Sequence, residues 1–335
     1  MKSLRFSLAR ANFLRAAACA AAACLAAPAS AQDHAVDAYP ERPVRIIVPY
    51  GAGGAADLLA RVLAERLAQG WGQPVIVENK PGGGGTIGIS AVVKAAPDGY
   101  TLVSVPVSDL AVNPHLYRKR PFDIARDLAP VAQVGAVPNV LVVSNTLGVA
   151  DAKALIAKAK AGRLSYSSPG IGSQAHLAAE IFAGRAGVNL LHVPYNSVSA
   201  ALADVAGGQI DMMIAQLPAA LPFIRGGRVK ALGVVAEQRS PLVPEMPTLK
   251  ETTGLSFGDA VSWSGLMAPA ATPLALREKI ARAVTQAMRS PQAQELLARQ
   301  GTVGLGGTPD DLSKAIAEDS RRYGEVIKAL DIRLD

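Results

Sequence analysis

The sequence predicts an α/β protein folded as two lobes, on three observations. From Arg42 onward, short aliphatic and β-branched runs alternate with segments whose apolar residues recur at helical spacing. In each half of the chain, one glycine-rich segment opens a helix directly after a strand. No flexible linker divides the halves, so this many parallel units imply lobes that exchange chain more than once.

The elements follow in order. Val44–Val48 reads as a strand that runs through Pro49 and Tyr50 into Gly51-Ala52-Gly53-Gly54. Leu58, Leu59, Val62, Leu63 and Leu67 then share one helical face. Pro74–Val77 is a second strand, closed by the turn Asn79-Lys80-Pro81-Gly82, and Ile87–Ala96 is a helix. Ala96-Pro97-Asp98-Gly99 has turn chemistry and leads into a third strand, Tyr100–Val105. A second set begins near Val140, with strands at Leu141–Val143, Leu164–Ser167, Leu190–Val193, Ile210–Ile214 and Ala231–Val235. Helices at Ala150–Ala161, Gln174–Gly184 and Ser199–Ala206 separate them. After a strand at Trp263–Met267 the chain is helical, over Leu274–Met288, Pro291–Gln300 and Pro309–Leu330. Crossings near Val137–Val143 and Asp259–Met267 give one lobe from residues 39–138 plus 263–335, and the other from 139–262.

Residues 1–31 read as an export signal peptide. Lys2, Arg5, Arg10 and Arg15 form a basic start, an alanine-rich apolar run spans Ala16–Ala27, and Ala29-Ser30-Ala31 is an A-x-A site with cleavage expected after Ala31. The run is shorter than the roughly 20 residues that span a bilayer. A periplasmic, soluble mature chain is expected. Cleavage removes four of the 34 Lys and Arg and none of the 27 Asp and Glu, so the formal charge falls from +7 to +3. That balance, with no basic block, gives no nucleic-acid footprint. Cys19 and Cys24 leave with the peptide, which excludes disulfides and cysteine metal sites from the mature chain. Lipid anchoring through Cys24 is the alternative, against which stands the all-alanine stretch before it.

Two loops carry the chemistry. Tyr50-Gly51-Ala52-Gly53-Gly54-Ala55 and Ser168-Pro169-Gly170-Ile171-Gly172-Ser173 each aim free backbone N–H groups at the positive end of a helix dipole. Glycine lets a ligand approach that backbone closely. One such loop per lobe makes an anion clamp that needs no arginine. The first loop also fits a dinucleotide fingerprint, Gly51-x-Gly53-x-x-Ala56, with Glu78 where a ribose-binding acid would stand; export and Pro49 count against that reading. Ser173 and His176 form an i, i+3 pair that an exported hydrolase could use, though no acid accompanies them and no G-x-S-x-G elbow exists. His34, His115, His176 and His192 have no metal-ligand spacing, so neither metal nor cofactor is expected. Asp57 and Asp98 read as first-turn and turn acids, and Met212-Met213 as core. Trp263 and Tyr195 could wall a pocket or pack a hinge.

The chain resembles the Bug receptors, the TctC-type substrate-binding proteins of tripartite tricarboxylate transporters. The resemblance runs from about Tyr39 to the C-terminus. It rests on Val48-Pro49-Tyr50 with Gly53-Gly54 and Asp57, Val77-Glu78-Asn79-Lys80-Pro81-Gly82, and Ala95-Ala96-Pro97-Asp98-Gly99-Tyr100. Gly172-Ser173 with His176-Leu177, His192-Val193-Pro194-Tyr195, Gly207-Gly208-Gln209-Ile210-Asp211 and Gly306-Gly307-Thr308-Pro309 continue it. It implies a two-lobed periplasmic binding protein of the Venus-flytrap kind, each lobe a mostly parallel sheet flanked by helices. It further implies a non-catalytic, monomeric receptor that captures a small carboxylate for a membrane permease or a sensor. By the same resemblance, Tyr50, Gly53, Gly54, Ala55 and Ser108 would bind the ligand from lobe one. Ser168, Gly170, Gly172, Ser173, His176, Tyr195 and Asp211 would do so from lobe two.

Three departures bear on the ligand. Ala55 stands where many members have a hydroxyl, Asn196-Ser197 follow the Pro-Tyr pair in place of Lys-Gly, and Val107-Ser108-Asp109 is an uncommon version of its loop. Together they point to a monocarboxylate, amino- or aromatic-substituted, in preference to a tricarboxylate.

Overall fold

The computed structural model describes residues 36–52, 54–117, 120–195, 197–257, 262–329 and 331. The expected signal peptide lies outside them, as do Gly53 and Asn196. From Pro43 onward the described strands sort into two sheets.

The first part of the chain alternates β1 (Val44–Val48), α1 (Ala55–Trp71), β2 (Val75–Asn79), α2 (Thr86–Val93) and β3 (Thr101–Pro106). A π-helical turn at Ser108–Val112 leads by short helical turns to β4 (Leu128–Val137). β5 (Asn139–Ser144), α3 (Ala152–Ala161), β6 (Leu164–Ser168), α4 (Gln174–Ala186), β7 (Leu190–Pro194), α5 (Val198–Gly207) and β8 (Met212–Gln216) follow. The chain continues through α6 (Leu217–Arg225), β9 (Val229–Val234) and α7 (Leu249–Thr253) to β10 (Ser262–Pro269). α8 (Leu274–Met288), α9 (Pro291–Arg299), β11 (Val303–Gly304) and α10 (Pro309–Ala329) close it. Helix starts are set locally: Asp151 accepts from Ala154 N, Ser173 from His176 N, Ser197 from Ala200 N, and Ser290 from Ala293 N. Thr248 and Glu251 cap α7 reciprocally.

The sheets have the orders β11-β4-β10-β3-β1-β2 and β7-β6-β8-β5-β9. Each contains the same device. Its first strand (β1, β6) lies between the next two and parallel to both. A strand that has crossed from the other sheet (β10, β5) then inserts antiparallel to its neighbours. The parallel layout expected from the alternation is thus kept in strand direction for most strands, with β10 and the two-residue β11 reversed in the first sheet and β5 in the second. The chain leaves β4 for β5 through Pro138 alone. Proline has no N–H for a ladder, which suits it to the point where one sheet ends and the next begins.

Strand periodicity explains the second sheet. Leu141, Val143, Met212 and Ile214 face one buried cluster, while Val140, Val142, Met213 and Ala215 face the other. Helices cover both faces, so these strands read as unbroken apolar runs. Met212 and Met213 are core on opposite sides, as expected. Trp263 is buried, and its Nε1 donates to Asp319 Oδ2 of α10 at 2.7 Å. Trp263 also belongs to the cluster that Leu177 and Ile181 of α4 share with Leu312, Tyr323 and Ile327 of α10. Of the two roles weighed for this tryptophan, pocket wall and hinge packing, the structure shows it in an inter-element apolar cluster and also in the wall of a cavity.

β4 escaped the sequence reading because Pro130 and Gly135 break its pattern. Its pairing with β10 slips at Ser264/Gly265 and at Leu266/Met267, which absorbs both. Gly135 also lets α1 lie close: a Cβ there would stand 2.5 Å from Leu59 Cδ2 and 2.7 Å from the Val303 carbonyl oxygen. Gly135→Val is expected to lower stability by about 1–3 kcal/mol, the usual cost of overpacking. A fall in the urea midpoint at unchanged slope checks it.

Candidate functional site

In the first sheet the chain leaves β1 toward β2 on one side while β3 lies on the other. The loops after β1 and β3 therefore leave the sheet at the point where the strand order reverses, the place where open α/β sheets bind ligands. The loop after β1 is held from below. Asn79 Nδ2 donates to the Tyr50 carbonyl at 3.0 Å and to Asp57 Oδ1 at 2.9 Å. Asp57, buried in the first turn of α1, also accepts from Arg61 Nε at 2.9 Å. This first-turn acid therefore fixes the loop as well as favouring the helix dipole. Gly54 precedes α1 in an extended conformation and, as a glycine, supplies no side-chain cap to the helix. A Cβ added at Gly51 or Gly54 would meet nothing within 4 Å, so packing does not demand glycine at either place. Close approach of a ligand to the backbone would.

Tyr50 bridges to the loop after β3. Its hydroxyl donates to Asp109 Oδ2 at 2.5 Å. Asp109 is fully buried, and its Oδ1 accepts from Asn113 Nδ2 at 2.8 Å and Arg120 Nη2 at 3.4 Å. Burial pushes the Asp109 carboxyl above its ordinary range, against the pull of Tyr50, Arg120 and Asn113. Burial, followed by the Asp109 charge, raises the Tyr50 phenol. Gly85 completes the wall: a Cβ there would lie 3.3 Å from Tyr50 Oη and 3.2 Å from Asp109 Oδ1.

In the second lobe the corresponding loop follows β6. Ser168 is buried, with Oγ 2.7 Å from His192 Nε2, and it accepts the Gly170 N–H at 3.2 Å. Tyr195 N donates to the Ser168 carbonyl at 2.8 Å, and its hydroxyl donates to Asp204 Oδ2 at 2.5 Å. Gly170 has φ +138°, a conformation that side chains resist. Gly172 N–H donates to His176 Nδ1 at 3.0 Å. Beneath the loop the His176 and His192 rings stack at 4.1 Å between centroids, and Tyr166 stacks on His192 at 4.8 Å. Burial lowers the pKa of both histidines. That of His192 falls to about 4, from burial first and the neighbouring His176 second.

The fold joins Tyr50, at the start of the first loop, to Asp109, the residue after Ser108. It gathers Ser168, Gly170, Gly172, Ser173, His176 and Tyr195 around the other loop. Asp211 stands apart, one residue before β8 and at the far end of β6 from Ser168; its Oδ2 accepts from Ser165 N at 2.7 Å and Ser165 Oγ at 2.9 Å. The Gly172 amide expected to meet a ligand is taken by His176. Ser173 Oγ accepts the His176 amide as a helix cap, at 3.3 Å, instead of pairing with the imidazole. Glu78, the acid of the dinucleotide reading, pairs with Lys80 at 2.9 Å and Arg45 at 3.7 Å. Gly53 lies outside the described residues. Sequence reasoning missed Asn79, Asn113, Arg120 and the loop Gly82–Gly85. Four glycines in a row were the available signal for that loop, and all four have positive φ. A cavity of about 1270 Å³ lies elsewhere, with Glu180, Arg185, Trp263 and Arg322 in its wall and neither glycine loop. Among the described residues no cluster of three metal-ligating side chains occurs, and no helix is long and apolar enough to cross a membrane.

The segments that follow the two loops share buried neighbours. Leu177, one turn into α4 from Ser173, shares a buried cluster with Val107, Leu110 and Ala111 of the segment around Ser108. Two lobes exchanging chain twice, each with a glycine-bearing loop that opens a helix directly after a strand, define a solute-binding receptor of the periplasmic binding protein class. The chain belongs to the tripartite tricarboxylate transporter family receptors, whose family model matches residues 59–332. It is 38% identical to BugT of Bordetella pertussis over 303 residues, covering 89% of this chain and 92% of that protein. A Rhodopseudomonas palustris protein solved with adipate is 32% identical, with a TM-score of 0.75 over 88% of this chain and 99% of its own. MatC of the same organism, solved with malate, is 28% identical, with a TM-score of 0.68 over 86% and 100%. The family recognised from the motifs and the two-lobed fold are both borne out.

The stacked histidines set a pH dependence. Their folded pKa values lie below the ordinary 6.5, so the unfolded chain binds more protons than the folded one in acid. Stability is expected to be complete above about pH 6.5 and to fall as the pH drops toward about 4, where His192 itself protonates. Urea midpoints measured across that window check the slope, and His192→Gln should flatten it.

Proposed function

We propose that this chain is an exported, non-catalytic receptor that closes its two lobes around a small carboxylate and hands it to a membrane permease or a sensor. The carrying observation is the pair of amide-bearing loops, after β1 and after β6, joined through the buried cluster of Leu177 with Val107 and Leu110. Gly54, Ala55 and the hydroxyls of Tyr50 and Ser108 form the lobe-one side; Ser168, Gly170, Ser173 and Tyr195 form the lobe-two side. His176 acts through the Gly172 amide, shaping the loop from beneath. Residues 39–138 with 263–335, and 139–262, are the two bodies that move. The mature protein, released after Ala31, works in the periplasm as a monomer. The relatives solved with adipate and malate support a carboxylate as ligand.

Closure follows from differential affinity: a ligand that contacts both loops stabilises the closed state, and one that contacts a single loop shifts nothing. Each dipole-assisted contact is worth about 0.3–2 kcal/mol. Micromolar binding, about −8.2 kcal/mol, therefore draws on several such contacts together with apolar burial.

Mass spectrometry of the small molecules that co-purify with the periplasmic protein is expected to find an organic acid. Calorimetry with that acid should give saturable one-to-one binding, and Gly170→Val, which cannot hold φ +138° without strain, should weaken it at least about tenfold. Unchanged affinity in a folded Gly170→Val protein would remove the second loop from the site.

A further inference from the structure

Helix α4 meets three different surroundings along its length. Its N-cap, Ser173, ends the second glycine loop. Leu177 and Ile181 pack in the buried cluster with Leu110, Leu312 and Tyr323 of the other lobe. Glu180, Gly184 and Arg185 line a cavity of about 1270 Å³ that Ala315, Glu318 and Arg322 of α10 line from lobe one. At about 1.5 Å of rise per residue, Ser173 lies about 6 Å before Leu177 and Gly184 about 10 Å beyond it. The loop and the cavity thus sit at opposite ends of a helix that touches lobe one between them. Trp263 belongs both to the cluster and to the cavity wall, and Pro138, the other crossing, is in that wall too. Glu180, Asp319 and Arg321 on the walls pair within their own lobes. Glu180 accepts from the Tyr166 hydroxyl at 2.5 Å, Asp319 from Trp263 at 2.7 Å and Arg322 at 2.5 Å, and Arg321 donates to Glu325 at 3.0 Å. The walls can part without breaking any of these bonds.

We propose that the second lobe rocks on this cluster, so that the cavity controls closure from behind. Whatever holds α4 and α10 apart at the cavity tips the second glycine loop toward lobe one and favours the closed arrangement. The inference rests on the two-lobed receptor reading above and names the place from which its closure is set. A continuous helix of 13 residues carries a displacement from one end to the other. A close-packed cluster resists compression and serves as the fulcrum. A wedge in the cavity adds no contact to the ligand, yet it tightens binding by enlarging the fraction of protein in the competent state. The coupling is reciprocal: a ligand that closes the loops widens the cavity.

Substitutions on either wall supply the wedge. A Cβ at Gly184 meets nothing within 4 Å, so Gly184→Trp places a ring at the cavity without a clash at its root. Ala315→Trp does so from the α10 side. Gly184→Ala improves helix propensity without the bulk and is the control. Cys19 and Cys24, the two cysteines of the chain, fall in the expected signal peptide, so spin labels can be attached at introduced cysteines alone. Ile87→Cys, in the first turn of α2, and Ile171→Cys, in the second glycine loop, put one exposed label on each lobe.

Electron–electron distance measurements on the ligand-free protein test the motion directly. Both tryptophan variants are expected to shorten the distance between the labels, and Gly184→Ala to leave it unchanged. Calorimetry on the unlabelled proteins, with adipate, malate and any organic acid that co-purifies, should then show binding tightened at least about threefold by each tryptophan and unaltered by the control. Thermal unfolding reports which variants fold, and either wall decides the matter if the other variant does not. Distances that stay the same or lengthen in a folded tryptophan variant overturn the proposal, as does weaker binding, while the receptor reading stands as long as the native protein binds an acid. Shortened distances in a protein that binds no acid and co-purifies with none leave the pivot in place and fail the receptor reading.

Discussion

The lobes meet through a buried apolar cluster, and the placement of everything functional depends on it. Leu177 and Ile181 come from α4, which opens on the second glycine loop. They pack with Leu110 and Val112, which follow the Ser108 segment, and with Leu312, Tyr323 and Ile327 of the C-terminal helix. Burial of side chains of this size contributes about 1.5–3 kcal/mol each. It also fixes which ends of the two sheets share a side. Trp263 adds direction to this cluster, because its indole N–H must reach Asp319 and its ring must still lie among aliphatic neighbours.

Two of the buried carboxylates shape loops. Asp57 holds Asn79 against the Tyr50 carbonyl, and Asp109 holds the Tyr50 hydroxyl. Neither carboxylate touches the space a ligand would enter through its own oxygens. Desolvating a carboxylate costs several kcal/mol unless donors surround it, and both acids have at least two. The second lobe reaches the same end with neutral groups. His176 accepts the Gly172 amide and His192 contacts the Ser168 hydroxyl, while stacking beneath the loop keeps both rings in place. A receptor for anions gains from this arrangement, since rigid loops keep their amides preorganised and spend less affinity on ordering.

The likeness between the sheets gives the molecule its economy. Both use one strand between two parallel neighbours, then a reversed strand arriving from the other lobe. The reversed strands β5 and β10 are the crossings themselves, so the covalent hinge runs through the sheets and is hydrogen-bonded on both sides of each.

The sequence by itself determined the element types, the alternation, the family and the two amide-bearing loops. Those features are local: periodicity, glycine, proline and cap residues act within a few positions of one another. The C-terminal helices could be read almost to the residue for this reason. Only the tertiary structure decided which polar groups remain free. Gly172 looked available, and His176 four residues on takes its amide; Asp211 looked like a site residue, and Ser165 draws it to the far end of the strand. Asp109 looked hostile to a second acid if it faced inward, and it is instead buried under Tyr50, Asn113 and Arg120. A hydrogen bond between residues distant in sequence leaves no periodic trace, and the direction of its proton depends on three-dimensional neighbours alone.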